Sequence, residues 1–331
     1  MVTNNRLKLT SLIEKLSDES VNTLLETATA LYSAKAKDAR PWCPRCQGTH
    51  VVKNGHKCGK QEYLCRECKK TFVTTTNTLM ANSHQPKEVW EGMIRDTAAL
   101  HSLDHSAERL GITHDCAFHM RQKILLALKD VRDEDTVILG GVTELDETFV
   151  LDSYKGKKLP DTVQRKPRKH GEGAQKSGLS QEFVCICAGV ERGGASMAMT
   201  INRAKPSSQE IQDVFAGHIS EDALALCDGL RSYAKLGDAV GCSIKNVDLE
   251  DNHKFFNLNT VNSFHSFIKR TYVFYRGVAT KYLNRYNALF SFAFRRSADS
   301  VTNLLKRLLE VGFAHRSYTL YQTSFQDLLA I

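Results

Sequence analysis

The run TVILGGVTELDETFV, residues 136–150, is where this chain changes texture from helix to sheet. An apolar lead-in passes into strict alternation. Successive side chains of a strand point to opposite faces, so Glu144, Asp146 and Thr148 share one face and Leu145, Glu147 and Phe149 the other. Further strand-like runs follow: EFVCICAGVER (182–192), ASMAMTINR (195–203) and ALALCDG (223–229). A helical pattern, SSQEIQDVFAGHI (207–219), precedes the last of them, and from about Thr260 the chain reverts to helix. Three strands, a helix and a fourth strand predict an α/β core with flanking helices rather than a bundle or a sandwich.

Within that core two acids stand where chemistry is expected. Asp146 lies on the first strand, and Asp228 ends an apolar strand, where its side chain reaches the edge of a cleft. Two carboxylates on neighbouring strands suit a divalent hard cation, although a strand-terminal Asp also favours a turn. On the helical stretch 259–295, Val261, Phe264 and Ile268 form an apolar side. Asn262, Ser266 and Lys269, at i, i+4 and i+7, form a second side without acid. His265 falls toward the apolar side and reads as a core histidine.

Upstream, CPRCQGTHVVKNGHKCGKQEYLCRECKKTF (43–72) holds five of the ten cysteines. Cys43-x2-Cys46 and Cys65-x2-Cys68 have the spacing of two knuckles that together give zinc four thiolates. The alternating residues between them predict a zinc ribbon, with Cys58 outside the ligand shell. Arg45, Lys53, Lys57, Lys60, Arg66, Lys69 and Lys70 outnumber Glu62 and Glu67, so the ribbon stays cationic with metal bound and suits phosphate. Between ribbon and sheet, SLDHSAERLGITHDCAFHMRQKIL (102–125) has the layout of a helix-turn-helix. Gly111 stands at the corner, and the second helix bears His119, Arg121 and Lys123 toward a DNA groove.

CPRC with YLCRECKKTF, LGIT before a helix, LDETFV, and CDGLRSY joined to VNSFHSFIKRTY…KYLNRYNALFSFAFR together resemble the insertion-sequence transposases that carry a zinc ribbon and an RNase H-like catalytic domain. The resemblance spans most of residues 40–295. It implies an RNase H-like mixed sheet and catalysis by Asp146, Asp228, Asn262 and Lys269. Mg2+ or Mn2+ would be held by Asp146, Asp228 and Asn262, and structural Zn2+ by Cys43, Cys46, Cys65 and Cys68. The third position is Asn262 here, as in a subgroup of the family; many relatives carry Glu. A neutral carbonyl holds metal less tightly than a carboxylate, and Glu144 is a candidate to make up the difference. The implied activity is cutting of element ends and their joining to target DNA. The alternative is an inactive, domesticated DNA-binding regulator, and a third reading is a ribbon that binds protein.

At 331 residues, 42% hydrophobic and 25% charged, with a net charge of +8, the chain is an ordinary globular one whose balance favours a polyanion. No signal-peptide core or membrane span is evident, so the expected location is cytoplasmic, at the nucleoid, with no membrane partner. Cysteines kept reduced there act as metal ligands. The expected order is a helical N-terminal region (1–40), a zinc ribbon (41–76), a helix-turn-helix domain (80–135) and a catalytic domain (138–331). Residues 153–178, with eight Lys or Arg among Gly and Pro, are expected to form a mobile phosphate clamp. Expected DNA contacts are Lys69, Lys70, Arg121, Lys123, Lys166, Arg168, Lys169 and Arg270. The expected partner is double-stranded DNA, bound by a homodimer or larger assembly to which the N-terminal helices contribute.

Overall fold

The computed structural model describes residues 41–134, 137–163, 165–169, 171–229, 233, 235–247, 255–296, 298, 300–302 and 305. The expected helices of residues 1–40 lie outside them. The chain divides into two compact units, one ending at Thr76 and the other starting at Asn77.

In the first unit, β1 (Val51–Lys57), β2 (Lys60–Cys65) and β3 (Thr71–Val73) form an antiparallel sheet in that order. The β1–β2 hairpin turns on Cys58 and Gly59, at φ 49° and 74°. Both are left-handed, as the turn that follows strand twist requires. Cys58 is thus a turn residue and exposed. Among the described residues of this unit, Cys43, Val51, Cys65 and Phe72 form the buried cluster, which is far too small to hold a domain by itself.

The second unit opens with three helices, α1 (Lys87–Ala98), α2 (Leu103–Leu110) and α3 (His114–Glu134). Ser102 caps α2 by accepting the His105 N–H, and Gly111 ends it at φ 64°, a conformation glycine adopts without strain. The sheet follows: β4 (Val142–Leu151), β5 (Phe183–Glu191), β6 (Ser196–Arg203), β7 (Leu224–Asp228) and β8 (Ser243–Val247). Its strand order is β6-β5-β4-β7-β8. β4 pairs antiparallel with β5 and β5 antiparallel with β6, whereas β7 is parallel to both β4 and β8. This mixed sheet with β4 at its centre is the RNase H-like arrangement. Interleaved are α4 (Ser208–Phe215), α5 (Leu236–Val240), α6 (Asn259–Phe274) and α7 (Leu283–Ala293). The edge strand β8 escapes sequence reading because SIKNV has no apolar run to betray it.

Two cores cover the faces of the sheet. On one, Val184, Ile186 and Ala188 of β5 meet α1, α3, α6 and α7 through Trp90, Ile124, Phe264 and Phe290. On the other, Leu145, Cys187 and Ala225 meet α4 and α5 through Ile211, Phe215 and Leu236. Each large apolar side chain buried there contributes about 1.5–3 kcal/mol. Gly189 sets how closely Leu139, Leu145 and Phe215 approach the sheet, since a Cβ there would stand 2.6 Å from Leu139 Cδ1. Among the described residues no helix is long and apolar enough to cross a membrane.

Two expectations change at this level. The second helix of the hairpin, α3, is largely a core element. Arg121, only 1% exposed, donates to the His101 carbonyl (2.7 Å) and the Ser106 hydroxyl (3.1 Å) instead of facing DNA. Lys123 donates to the Ala81 carbonyl at 2.8 Å and lies over the Trp90 ring, and burial lowers its pKa. Nor is the basic stretch a free clamp throughout. Asp152, buried at the end of β4, accepts Arg165 (2.8 Å), Arg168 (2.6 Å) and Arg203 (3.0 Å). Arg168 also bonds Glu182 at 2.7 Å, and this hydrogen bond leads in holding the Glu182 carboxyl down to about 2. Arg168 therefore fastens the stretch to the sheet, while Lys166 and Lys169 remain exposed. Composition records the charge of such a stretch but not the two buried acids that fold it back.

Candidate active site and metal centres

The ribbon site follows from its two knuckles. The Sγ atoms of Cys43, Cys46, Cys65 and Cys68 all lie within 4.8 Å of one another. Cys43 stands 3.7 Å from Cys68, and Cys46 stands 3.6 Å from Cys65. Zn–S bonds of about 2.3 Å in a tetrahedron place sulfurs about 3.8 Å apart, so the residues fit zinc. The backbone N–H groups of Cys68 and Glu67, with the neighbouring thiols, pull Cys65 down to about 7, toward the thiolate a metal needs. Lys69 and Lys70, on the second knuckle, are exposed.

In the second unit, sheet order makes the site. The paired stretch of β4 and β7 runs in parallel from Val142 beside Leu224 to Leu145 beside Cys227. The next residue on each strand is a carboxylate, Asp146 in the middle of β4 and Asp228 at the end of β7, so strands far apart in sequence bring their acids side by side. Asp146, Glu147 and Asp228 each place a carboxylate oxygen within 4.8 Å of the others. The Asp146 carboxyl is pushed up to about 6 by burial; the Glu147 N–H opposes this, the Asp228 charge adds to it and Lys269 opposes it. Burial, reinforced by Asp146 and Asp228, takes Glu147 to about 7. Partly buried hard oxygens that repel one another form a donor set matched to a divalent hard cation such as Mg2+.

Helix α6 closes the site from the first core face. His265, 7% exposed, places Nδ1 3.6 Å from Asp146 Oδ2, and burial followed by the Lys269 charge pushes it down to about 4. It is a buried neutral imidazole, as expected for a core residue, but it also touches the acid. Lys269 acts on both Asp146 and His265 through its charge. Asn262 is exposed in the first turn of α6, on the side shared with Ser266 and Lys269, and Arg270 is exposed next to them.

Glu144 does not supply the missing charge. It is fully buried, and its carboxylate accepts the N–H groups of Thr260 (2.7 Å) and Val261 (2.9 Å) at the start of α6. Arg192 Nε donates to it at 2.6 Å, and the same guanidinium bonds the Phe255 and Asn257 carbonyls. A carboxylate at a helix N-terminus satisfies orphan donors and the helix dipole. Glu144 and Arg192 thus fasten the helix carrying Asn262 and Lys269 to the strand carrying Asp146. Sequence reading missed both Arg192 and the placement of Glu147. Alternation put Glu147 on the face away from Asp146, and only the folded chain reveals that their carboxylates meet.

Among solved structures, the Mos1 strand transfer complex overlaps 69% of this chain and 75% of its own, at 10% identity and a TM-score of 0.29. A simian T-cell lymphotropic virus intasome overlaps 60% of this chain and 67% of its own, at 9% identity and a TM-score of 0.29. Overlaps that loose bear on neither fold nor function. In sequence, an uncharacterized protein in transposable element ISH50 of Halobacterium salinarum is 25% identical over 282 residues, 82% of this chain and 91% of that protein. Residues 138–296, the stretch that contains every active-site residue named above, match the family model of the ISXO2-like transposase domain.

Proposed function

We propose that the protein is a DNA transposase of an insertion sequence, which cuts element ends and joins them to target DNA. The observation that carries this reading is the meeting of the Asp146 and Asp228 carboxylates on adjacent parallel strands, within a stretch that matches a transposase domain. Asp146, Asp228 and Asn262 would hold divalent cations, which would supply Lewis acidity for attack by water or a 3′-hydroxyl and for departure of the leaving oxygen. Lys269 contacts phosphate beside the acids. Glu144 and Arg192 hold α6 in register with β4, and His265, neutral and buried, orients Asp146. Zn2+ on the four cysteines staples the ribbon. Lys69, Lys70, Lys166, Lys169 and Arg270, all exposed, meet the phosphates of double-stranded DNA. Two ends must be held at once, so the working form is a dimer or larger.

Purified protein incubated with DNA carrying the element's own ends is expected to nick it only with Mg2+ or Mn2+. Asp228→Ala should reduce nicking by about a thousandfold, since the cations contribute several kcal/mol. Metal-independent nicking, or nicking unchanged by Asp228→Ala, rejects the assignment. The competing reading, an inactive domesticated regulator, draws on the neutral Asn262 and predicts DNA binding without nicking in the same assay.

A further inference from the structure

We propose that Glu147 is a metal-ligating residue, the third carboxylate of the cation site, and supplies the negative charge that Asn262 does not. This rests on the reading that Asp146 and Asp228 hold the cations, and it adds a ligand to that site.

The sheet explains how two consecutive strand residues reach one place. Their side chains leave β4 toward opposite faces. Up to Leu145, β4 is paired with β7, whose strand ends at Asp228, and among the described residues no strand pairing continues on that side of β4. Glu147, one methylene longer than Asp146, brings a carboxylate oxygen within 4.8 Å of both aspartates.

What surrounds Glu147 points to an absent ligand. The residue is 9% exposed, and its Oε1 accepts no hydrogen bond. The buried Tyr233 phenol faces the carboxylate and acts on it as a weak donor, yet Oε1 keeps no partner of good geometry. Its cross-strand neighbour is Cys187, a thiol with no charge to offer. Among the described residues no ion pair is made by Glu147. A buried carboxylate oxygen without a partner is costly, and such groups in folded proteins are normally paired or bound to metal.

Glu144 is the control within the same strand. It too is buried, but both of its oxygens are taken up by Arg192 and the first N–H groups of α6. Its burial has a structural explanation, whereas Glu147, with only the Tyr233 phenol turned toward it, must either keep a proton or meet a cation. With Glu147 the site carries three carboxylates, and the charge count of the ligands governs affinity for hard divalent cations. Asn262 can then be neutral without leaving the cations underheld.

The test is Mn2+ binding by calorimetry on the full zinc-loaded chain, comparing wild type, Glu147→Gln and Asp228→Asn, with thermal melts of each in metal-free buffer. Glu147→Gln is expected to weaken Mn2+ by about tenfold or more while keeping or raising the metal-free melting temperature, because it relieves repulsion among clustered carboxylates. Wild-type affinity in Glu147→Gln alongside loss in Asp228→Asn overturns this proposal and leaves the aspartate site standing. A lowered metal-free melting temperature with unchanged Mn2+ affinity assigns Glu147 to the frame and likewise overturns it. Wild-type affinity in Asp228→Asn as well, or no binding by wild type, rejects the underlying site. Should Glu147→Gln not fold, Glu147→Asp keeps the charge, shortens the reach and is expected to weaken Mn2+; unchanged affinity there overturns the proposal equally.

Discussion

The four-cysteine ribbon and the carboxylate cluster are both built for cations, and they are held together in opposite ways. The ribbon draws its ligands from two short turns within residues 43–68 and has a buried core of four residues, two of them ligands. The carboxylates come from β4 and β7, and large cores pack both faces of their sheet. In the ribbon the proposed zinc would itself complete the core. In the RNase H-like unit the apolar frame holds acids together against their repulsion, which the proposed cation would relieve.

That contrast is exposed most directly by chelation. Zinc binding to such sites is worth about 10–16 kcal/mol at neutral pH. Removing zinc, or the Cys65→Ala change, is therefore expected to unfold residues 41–76 and to leave the cooperative melt of the second unit in place, as followed by circular dichroism and proteolysis. If the second unit melts together with the ribbon, the two are not separately held.

The frame of the second unit has its own weak point in Asp152. Asp152→Ala leaves Arg165, Arg168 and Arg203 without their shared carboxylate, and breaking a buried pair of this kind costs about 3–5 kcal/mol. Chemical denaturation should show that loss in the second unit while the zinc content stays unchanged. A loss within experimental error would mean that the basic stretch is solvated after all.

A gentler probe is pH. Asp146 and Glu147 rise from ordinary values of 3.8 and 4.5 to about 6 and about 7 on folding. Between those limits the folded chain keeps protons that the unfolded chain has released, so metal-free stability is full below the unfolded values and falls as pH rises through the folded ones. The slope is at most about 1.4 kcal/mol per pH unit for each proton held. Melts in metal-free buffer from pH 4 to 8 should show the decline, and added Mg2+ should recover it most at the alkaline end. A flat profile would show that the acids are not crowded.

Much of this was legible beforehand because the signals are local. Knuckle spacing announced the ribbon, alternation placed Asp146 on a strand, and an apolar run ending in Asp228 placed the second acid. What escaped depended on partners distant in sequence. Arg121 and Lys123 look like a DNA-facing pair until Ser106, His101, Ala81 and Trp90 are seen to take them up. Arg168 looks like a phosphate contact until Asp152 and Glu182 claim it. A side chain's charge is written in its identity, but whether that charge faces water is set by what packs against it.

The amino-acid order alone specified the kinds of element, the ribbon's ligands and the two strand aspartates, since each depends on a periodicity or spacing within a few residues. The assignment of three similar glutamates on or near one sheet was settled by packing in three dimensions. Glu144 caps a helix, Glu147 brings a carboxylate oxygen to Asp146 and Asp228, and Glu182 anchors a basic loop. Their chemistry is the same, and only the donors and charges that the folded chain brings to each carboxylate tell them apart.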